Sequence, residues 1–393
     1  MQTPTSGSKP MPVKPHKPEM ESGRADTLRK VRASKRSSHR LAASAARAAG
    51  TSLLEVSTVK PETAMTYDDQ IKRFVNWVGE PVQEMIGKSI LDVSMVEFFE
   101  AMYFEGHNHH IGDSLLSALE YRDRRIKKGG KLCPLRAREA LRGFRRLAPG
   151  LSRAPLPEIA LHALVGAAIS LGQLDFGLAL LVQFCGYLRP AELLNLKGRQ
   201  IILAVQGSGV KHIALLLHPQ EDGATSKTEE RDESILLDWP IFSETRAAFA
   251  VLKKRDASPA FGLDYRKYSE LFHICAEMSG VVTLKCHPYS IRHGGASRDA
   301  LLRTRTLAQI KARGRWRADA SVRRYEKHAR VLREVERLPA ATRRYGAEVA
   351  PLLGRMLLRR MAARKPPFAK GTLPRGAKRR ATLSGPAASQ QQK

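Results

Sequence analysis

The first regular hydrophobic pattern along the chain lies in residues 66–78, "TYDDQIKRFVNWV". Tyr67, Ile71, Phe74 and Val78 recur every three or four residues, and charged side chains occupy positions between them. This spacing matches one face of an α-helix. The segment is therefore predicted to be an amphipathic helix.

Two further helices are predicted before residue 150. Ser94 and Glu97 form a capping-box pattern, so a helix is expected to begin there and to end near Gly106. Residues 134–147, "PLRAREALRGFRRL", begin with a proline suited to a first helical turn, and Pro-Gly follows them. Five arginines in this helix give it a basic surface: Arg136, Arg138, Arg142, Arg145 and Arg146. This part of the chain is predicted to be a small all-helical domain.

Residues 147–157, rich in proline and glycine, are the predicted linker to a second domain. Apolar helices follow as far as Cys185, and helical patterns return from Phe242 to about Arg360. Between them lie three short apolar runs that predict a small three-stranded meander: residues 201–205, 212–217 and 234–239. The fold class is therefore expected to be mainly α, with a small β-sheet inside a helical second domain.

The charge of the chain changes this picture by indicating a partner. The net charge is +29 over 393 residues. Residues 1–50 hold 11 basic and 3 acidic side chains, and residues 351–393 hold 11 basic and no acidic ones. Such a balance favours a polyanion, with nucleic acid ahead of an anionic membrane. Two roles stay open for the basic ends: solvation alone, or sequence-independent phosphate contacts.

Other features narrow the compartment and the chemistry. The four cysteines lack metal or redox spacing, and the N-terminus lacks a signal-peptide pattern, so an intracellular protein is expected, in a nucleus or in a bacterial cytoplasm and nucleoid. An uninterrupted apolar run of about eighteen residues is absent, and no membrane association is predicted. His107, His109 and His110 are interpreted as a surface loop in preference to a zinc site. No metal or cofactor is expected.

Four separated stretches carry candidate chemistry, at Arg189, Lys227, Arg292, and Trp316 with Tyr325. Each alone has a structural explanation, such as an ion pair, a loop lysine or a core aromatic ring. As a set they match the needs of phosphodiester transfer. Arginine forks bind the phosphate oxygens, a lysine can protonate the leaving oxygen, and a tyrosine can attack. A phenol with a pKa of about 10 needs activation, which neighbouring cations are expected to provide.

These residues resemble the motifs of the tyrosine recombinases, the phage-integrase family of site-specific DNA recombinases. The matches, in the family's order, are Arg189 with Glu192 in "LRPAEL", Lys227 on a predicted hairpin, Arg292 with His293, and Trp316 nine residues before Tyr325. The resemblance spans roughly residues 155–335. It implies a helical core-binding domain at 51–150 and a mixed α/β catalytic domain at 155–345. Composition and charge add a disordered basic arm at 1–50 and a basic C-terminal helix with a disordered tail at 346–393.

One position departs from the family. Three residues before Arg292, where the family usually has histidine, this chain has Tyr289. His287 lies five residues before Arg292 and is a poor substitute unless the helix begins after it. Tyr289 is therefore assigned the role of that histidine. Because a phenol accepts a proton less readily than an imidazole, slower activity is expected, or Lys227 takes over as the base.

The resemblance implies a mechanism that uses no cofactor. Arg189 and Arg292 bind the scissile phosphate, Tyr325 attacks it to form a 3′-phosphotyrosyl link, and Lys227 protonates the leaving 5′-oxygen. The remaining residues position these groups: Tyr289, Trp316, Glu192 and His293. The partners implied are double-stranded DNA, contacted in part by the five arginines of residues 134–147, and two to four copies of the chain that exchange a terminal element within residues 331–363.

Two alternatives stay open on the sequence. The chain can be a DNA-binding relative that has lost strand exchange through the change to Tyr289. It can also be a type IB topoisomerase, which uses a similar set of Arg, Lys and Tyr to nick and reseal one strand. The nine-residue spacing between Trp316 and Tyr325 favours the recombinase.

Overall fold

The structure is a computed structural model. It describes residues 39–48, 50–150, 154–205, 207, 209, 211–220, 232–326 and 328–362, with side chains as far as residue 360. The chain divides into two compact units, Met1–Leu151 and Ser152–Lys393, and the division falls within the predicted linker. Each unit has a hydrophobic core of its own. Among the described residues, no helix is both long enough and apolar enough to cross a membrane.

The first unit is all-helical over its described residues. Its helices are α1 Arg40–Ala48, α2 Leu53–Val56, α3 Pro61–Val78, α4 Val82–Gly87, α5 Leu91–Phe104, α6 His110–Arg122 and α7 Leu135–Leu147, with a 3₁₀ turn at Arg124–Ile126. Helix α1 lies inside the arm that was predicted to be disordered, so that prediction is wrong for residues 40–48. Its sequence, RLAASAARA, is rich in alanine, the residue with the highest helix propensity.

The core of the first unit shows why one predicted helix start is wrong. Ser94 was expected to cap a helix, but α5 begins three residues earlier and Ser94 is buried within it. Leu91 and Met95 lie on the buried face of α5, so burial of apolar surface extends the helix by a turn. Asp92 in that turn accepts hydrogen bonds from the backbone N–H groups of Arg136, at 3.1 Å, and Ala137, at 2.7 Å. A carboxylate of α5 thus caps the first turn of α7.

The second unit combines helices with one small sheet. Its helices are α8 Glu158–Ser170, α9 Leu174–Gly186, α10 Pro190–Leu194, α11 Pro240–Glu244, α12 Arg246–Lys253, α13 Tyr265–Ser279, α14 Pro288–Leu301, α15 Leu307–Gly314, α16 Asp319–Arg323, α17 His328–Arg337, α18 Ala340–Val349 and α19 Leu353–Ala362. Its 3₁₀ turns are Gly198–Gln200, Val281–Leu284, Arg324–Glu326 and Ala350–Leu352. The strands are β1 Ile201–Ile202, β2 Ile213–Leu217 and β3 Glu233–Leu237.

The predicted sheet is confirmed, as is a mainly helical fold. Its strands are antiparallel in the order β1-β2-β3, and Leu215 of β2 pairs with Ile201 on one side and Ile235 on the other. Along β2 the side chains of Ile213, Leu215 and Leu217 are buried while those between them are half-buried. This alternation places one face of the sheet against the core.

Two glycines let helix α14 approach its neighbours at backbone distance. A Cβ atom at Gly295 would lie 1.9 Å from the carbonyl oxygen of Phe184 in α9, and one at Gly294 would lie 2.1 Å from that of Leu156. Real Cβ atoms do not approach backbone so closely. The "RHGGAS" segment thus packs directly on α9, and this contact fixes the positions of Arg292 and His293.

We expect Gly295→Ala to lower the free energy of unfolding by about 1–3 kcal/mol, because a methyl group there must push the backbones of α14 and α9 apart. Gly177→Ala in α9 is the matched control. A Cβ there meets its neighbours at 3.5 Å or more, so the stability should be unchanged or raised by up to about 1 kcal/mol. Urea unfolding curves measure both. Equal stability of the two variants would contradict the close packing.

Candidate active site

Arg189 and Glu192 are brought together where the chain turns from α9 into α10. Tyr187 ends α9 in the left-handed conformation, with φ 47°, and Pro190 occupies the start of α10. The carboxylate of Glu192 accepts a hydrogen bond of 2.8 Å from the backbone N–H of Arg189 and also binds its guanidinium. The "LRPAEL" sequence therefore folds into a capped turn that holds an arginine against its acidic partner.

Glu192 is surrounded by three arginines. Besides Arg189, Arg315 donates to its Oε2 at 2.5 Å, and Nη1 of Arg292 lies 3.8 Å from the same oxygen. Burial raises the pKa of Glu192, but the three guanidinium groups outweigh it and hold that pKa below the ordinary value. Three positive charges around one carboxylate leave an excess of positive charge, which suits an anion.

Arg315 was not among the predicted site residues. It follows α15 in the left-handed conformation, with φ 54°, and is buried. Its Nη1 donates to the carbonyl oxygen of Arg313 at 2.9 Å, and its Nε lies 3.6 Å from Glu233. In the sequence it looked like an extra residue between Gly314 and Trp316. A non-glycine residue in that conformation beside a motif is a sign of a functional constraint, but the sequence does not reveal the conformation.

Arg292 lies at the centre of the site, with only 1% of its surface exposed. Its guanidinium donates to the carbonyl oxygens of Tyr187 and Gly314 and lies 4.6 Å from the centre of the Trp316 ring. Its Nε has no hydrogen-bond partner among the residues that the structure describes. Burial, followed by the charges of Arg315 and Arg189, lowers the pKa of Arg292, yet a guanidinium stays protonated at neutral pH.

The packing of Trp316 explains the glycine before Arg315. A Cβ atom at Gly314 would lie 1.8 Å from the ring of Trp316, so any side chain there would displace the ring. Trp316 also lies 4.9 Å from the ring of Tyr325 and 6.2 Å from that of Tyr187. It therefore braces both the buried arginine and the tyrosine, as the expected positioning role requires.

Tyr325 lies on the 3₁₀ turn that follows α16, and 3% of its surface is exposed. Its hydroxyl oxygen is 2.8 Å from Nδ1 of His293. In the tautomer that carries the proton on Nε2, Nδ1 accepts the phenol proton. The structure thus brings Tyr325 into hydrogen-bond contact with His293, a residue that was expected only to support the site.

The expected activation of Tyr325 by its cationic neighbours is wrong in its net effect. Burial raises the pKa of Tyr325 above its ordinary value. The charges of Arg292 and Arg324 lower it, and Tyr289 raises it further, but burial outweighs the cations. The phenol is therefore protonated at neutral pH.

Tyr289 lies between His293 and Arg189 in the structure. Its ring centre lies 5.4 Å from that of His293, and its phenol interacts with Arg189. Helix α14 begins at Pro288, which places His287 at the exposed N-cap. Tyr289 and His293 are four residues apart on one face of α14, so the phenol and the imidazole are neighbours there.

Lys227 lies outside the described residues. Strand β2 ends at Leu217, and the next residue, His218, has φ 50° and a buried Nε2 without a hydrogen-bond partner among the described residues. Burial lowers the pKa of His218, Glu192 raises it, and Arg315 and Arg189 lower it, so this histidine faces the arginine cluster. His218 was not among the predicted site residues. The signal for it in the sequence is its position directly after the predicted strand that precedes Lys227.

A second layer ties the site to the sheet. Arg313 in α15 donates to the carbonyl oxygens of Cys185 and Leu236, both at 2.8 Å. The hydroxyl of Tyr187 binds the carboxylate of Asp299, which Arg305 also binds. These bonds link α9, β3, α14 and α15, so they hold the carbonyl groups to which Arg292 donates.

The basic helix α7 belongs to the first unit. Three of its arginines form ion pairs there: Arg138 with Glu120, Arg142 with Glu139 and Arg145 with Asp113. Four of the five are exposed: Arg136, Arg142, Arg145 and Arg146. The exposed four present most of the charge of this helix to solvent.

Comparison with known proteins adds no family. No protein-family model matches the chain, and no curated protein matches it. The chemical capability of the site is therefore argued from its own geometry: arginines that can hold an anion, and a buried phenol hydrogen-bonded to a histidine.

Proposed function

We propose that this protein breaks and rejoins DNA through a 3′-phosphotyrosyl intermediate, as a tyrosine-recombinase-like enzyme. The observation that carries the proposal is the 2.8 Å contact between Tyr325 and His293 next to the buried Arg292. The order and spacing of the motifs in the sequence support it, as does the net charge of +29. Double-stranded DNA is the proposed substrate.

The proposed reaction needs four events at the phosphate. Arg189 and Arg292 bind its non-bridging oxygens, and the hydroxyl oxygen of Tyr325 attacks phosphorus while His293 takes the phenol proton. The bond from phosphorus to the 5′-oxygen breaks, and that oxygen takes a proton from an acid, for which Lys227 is the sequence-based candidate. In the reverse step a 5′-hydroxyl attacks the phosphotyrosyl bond. One phosphoester bond is made for each one broken, so the energy of the bond is conserved.

A covalent-trapping experiment tests this proposal. Duplexes bound by the full chain are first selected from a random-sequence library, and versions nicked at successive positions then serve as suicide substrates. We expect a protein–DNA adduct that survives denaturation, with the nucleotide attached to the peptide that contains Tyr325. Bound duplexes that give no adduct at any nick position, or an adduct on another residue, would contradict the proposal.

The burial of Tyr325 favours one second candidate, a DNA-binding relative without catalysis. In the structure of the protein alone, the hydroxyl of Tyr325 is covered and its pKa is raised by burial. Under this alternative the chain binds duplexes but forms no adduct. The trapping experiment therefore separates the two functions.

The role of His293 gives a separate prediction. We expect His293→Phe to slow adduct formation by about 10²–10⁴-fold, the range that a general base contributes. In the wild type the rate should fall toward acid pH, because a protonated imidazole cannot accept a proton. In the variant the rate should instead keep rising into alkaline pH, because the pKa of Tyr325 is raised and only hydroxide can remove its proton.

Single-turnover rates across pH measure this effect, and Tyr289→Phe is the control. That variant keeps His293, so it should retain the wild-type pH profile. If Tyr289→Phe loses the acid limb of the profile and His293→Phe keeps it, Tyr289 is the base instead.

A further inference from the structure

Three side chains at the start of helix α6, in the first unit, lie close together and are not part of the candidate active site around Tyr325. They belong to His109, His110 and Asp113, and their ligand atoms all lie within 4.8 Å of one another. Nδ1 of His109 is 2.8 Å from Oδ2 of Asp113, and Nδ1 of His110 is 3.6 Å from the same oxygen. Because the residues are three and four positions apart, the first turn of the helix brings them to one side.

These separations fit the donor set of a tetrahedral metal ion. Zinc bonds to nitrogen and oxygen of about 2.0–2.1 Å place neighbouring donors about 3.3 Å apart. Oδ2 of Asp113 lies 2.8 Å from Nδ1 of His109 and 3.6 Å from Nδ1 of His110, and these distances fall on either side of that value. Two imidazoles and a carboxylate are ligands that zinc uses in proteins.

Asp113 is oriented by an arginine outside the three-residue cluster. Arg145 binds Oδ1, whereas both histidines face Oδ2. An outer partner on the second oxygen is the usual way in which proteins orient a ligating carboxylate.

The His110 side of the cluster is open to solvent, whereas the His109 side is covered by the protein. The side chain of His110 is 74% exposed, and that of His109 is 12% exposed. Near their far ring edges lies Gly150, where a Cβ atom would be 3.2 Å from Nε2 of His109 and 3.7 Å from Nε2 of His110. His109 is thus held in place by its surroundings, while the exposed side of His110 leaves space for a metal ion and a water molecule.

We infer that His109, His110 and Asp113 form a site for a divalent transition metal, with zinc as the ion that best fits the donors. Binding displaces the proton between His109 and Asp113 and joins the three side chains through the metal, next to the existing ion pair of Asp113 with Arg145 of α7. The role is structural, to stabilise the first unit. This site is independent of the proposed reaction at Tyr325.

The third histidine of the segment supplies a matched control. His107 lies 3.1 Å from Arg73 and 3.2 Å from Glu105, outside the three-residue cluster. It has the same chemistry, and it is two residues from His109 in the chain. A general affinity of exposed histidines for metal would involve His107 as much as His110.

The test uses the full chain after removal of metal with a chelator. Zinc is titrated by calorimetry, and Co²⁺, whose visible absorption reports its ligands, is used as a spectroscopic probe. We expect one site with a Kd of about 10 µM or tighter, and a zinc-dependent rise in the melting temperature. His110→Ala should weaken binding by about 10–100-fold and abolish that rise. His107→Ala should bind as the wild type does.

His110 is largely exposed, so its loss should leave the fold intact, and circular dichroism without metal checks this point. Asp113→Asn should also weaken binding, although it disturbs the pair with Arg145. Binding weaker than about 100 µM in the wild type would overturn the inference. Equal loss in the His107→Ala and His110→Ala variants would do the same, since the metal would then be held by scattered histidines.

Discussion

The Tyr325→Phe variant is expected to bind DNA as tightly as the wild type and to form no covalent adduct, a loss of at least about 10³-fold in the single-turnover rate. The substitution removes only the attacking oxygen. The ring that packs 4.9 Å from Trp316 remains, so the buried layer of the site should keep its shape. The lost hydrogen bond to His293 should cost about 1–2 kcal/mol of stability.

Adduct yield on the selected suicide duplexes and DNA affinity in a binding assay are measured side by side. Tyr265→Phe is the matched control, because Tyr265 is exposed on α13 and should lose neither activity. If Tyr325→Phe forms as much adduct as the wild type, another residue is the nucleophile. Retained adduct would also remove the reason for assigning His293 as its base.

Arg292→Met should produce the largest loss of stability among the site arginines, about 3–5 kcal/mol in the free energy of unfolding. It leaves the carbonyl oxygens of Tyr187 and Gly314 buried without their donor and removes one of three cations around Glu192. Methionine restores much of the volume but none of the hydrogen bonds. Cleavage should be lost as well, since a phosphate ligand is removed.

A comparison with Arg189→Met separates structure from catalysis. The Arg189 side chain is more exposed than that of Arg292, and its partners are the side chains of Glu192 and Tyr289 instead of buried carbonyl oxygens, so its loss should cost clearly less stability. Arg189→Met should therefore be folded in urea titrations yet still impaired in adduct formation. Arg266→Met, on the exposed side of α13, should change neither quantity. If Arg292→Met is the milder of the two site variants in unfolding experiments, the buried donor network is not the main support of the site.

Much of the fold follows from local pattern. Helical periodicity predicts α3 through Phe74 and its neighbours, and the short apolar run at residues 212–217 predicts a strand, where the structure has β2. The predicted linker contains the observed division at residue 151. These features depend on residues close together in sequence, so the sequence alone reveals them.

The errors have a common physical origin in contacts between distant residues. Ser94 has a good capping pattern, but the core contacts of Leu91 extend the helix past it. Arg315 is a site residue because the chain turns left-handed there and aims it at Glu192, 123 positions earlier. The pKa of Tyr325 follows from how deeply the residue is buried, and charged neighbours in the sequence do not reveal that depth.

The covered position of Tyr325 has an energetic consequence for the proposed enzyme. A phosphate can meet the hydroxyl only in a conformation that uncovers it, so the apparent affinity of cleavable DNA is reduced by the fraction of molecules in that conformation. The free energy for uncovering must then come from contacts elsewhere along the duplex. DNA that makes only backbone contacts would be bound but not cleaved, whereas a sequence that makes additional contacts would be cleaved. In the proposed enzyme, the burial of Tyr325 therefore makes cleavage depend on the additional contacts that a preferred DNA sequence provides.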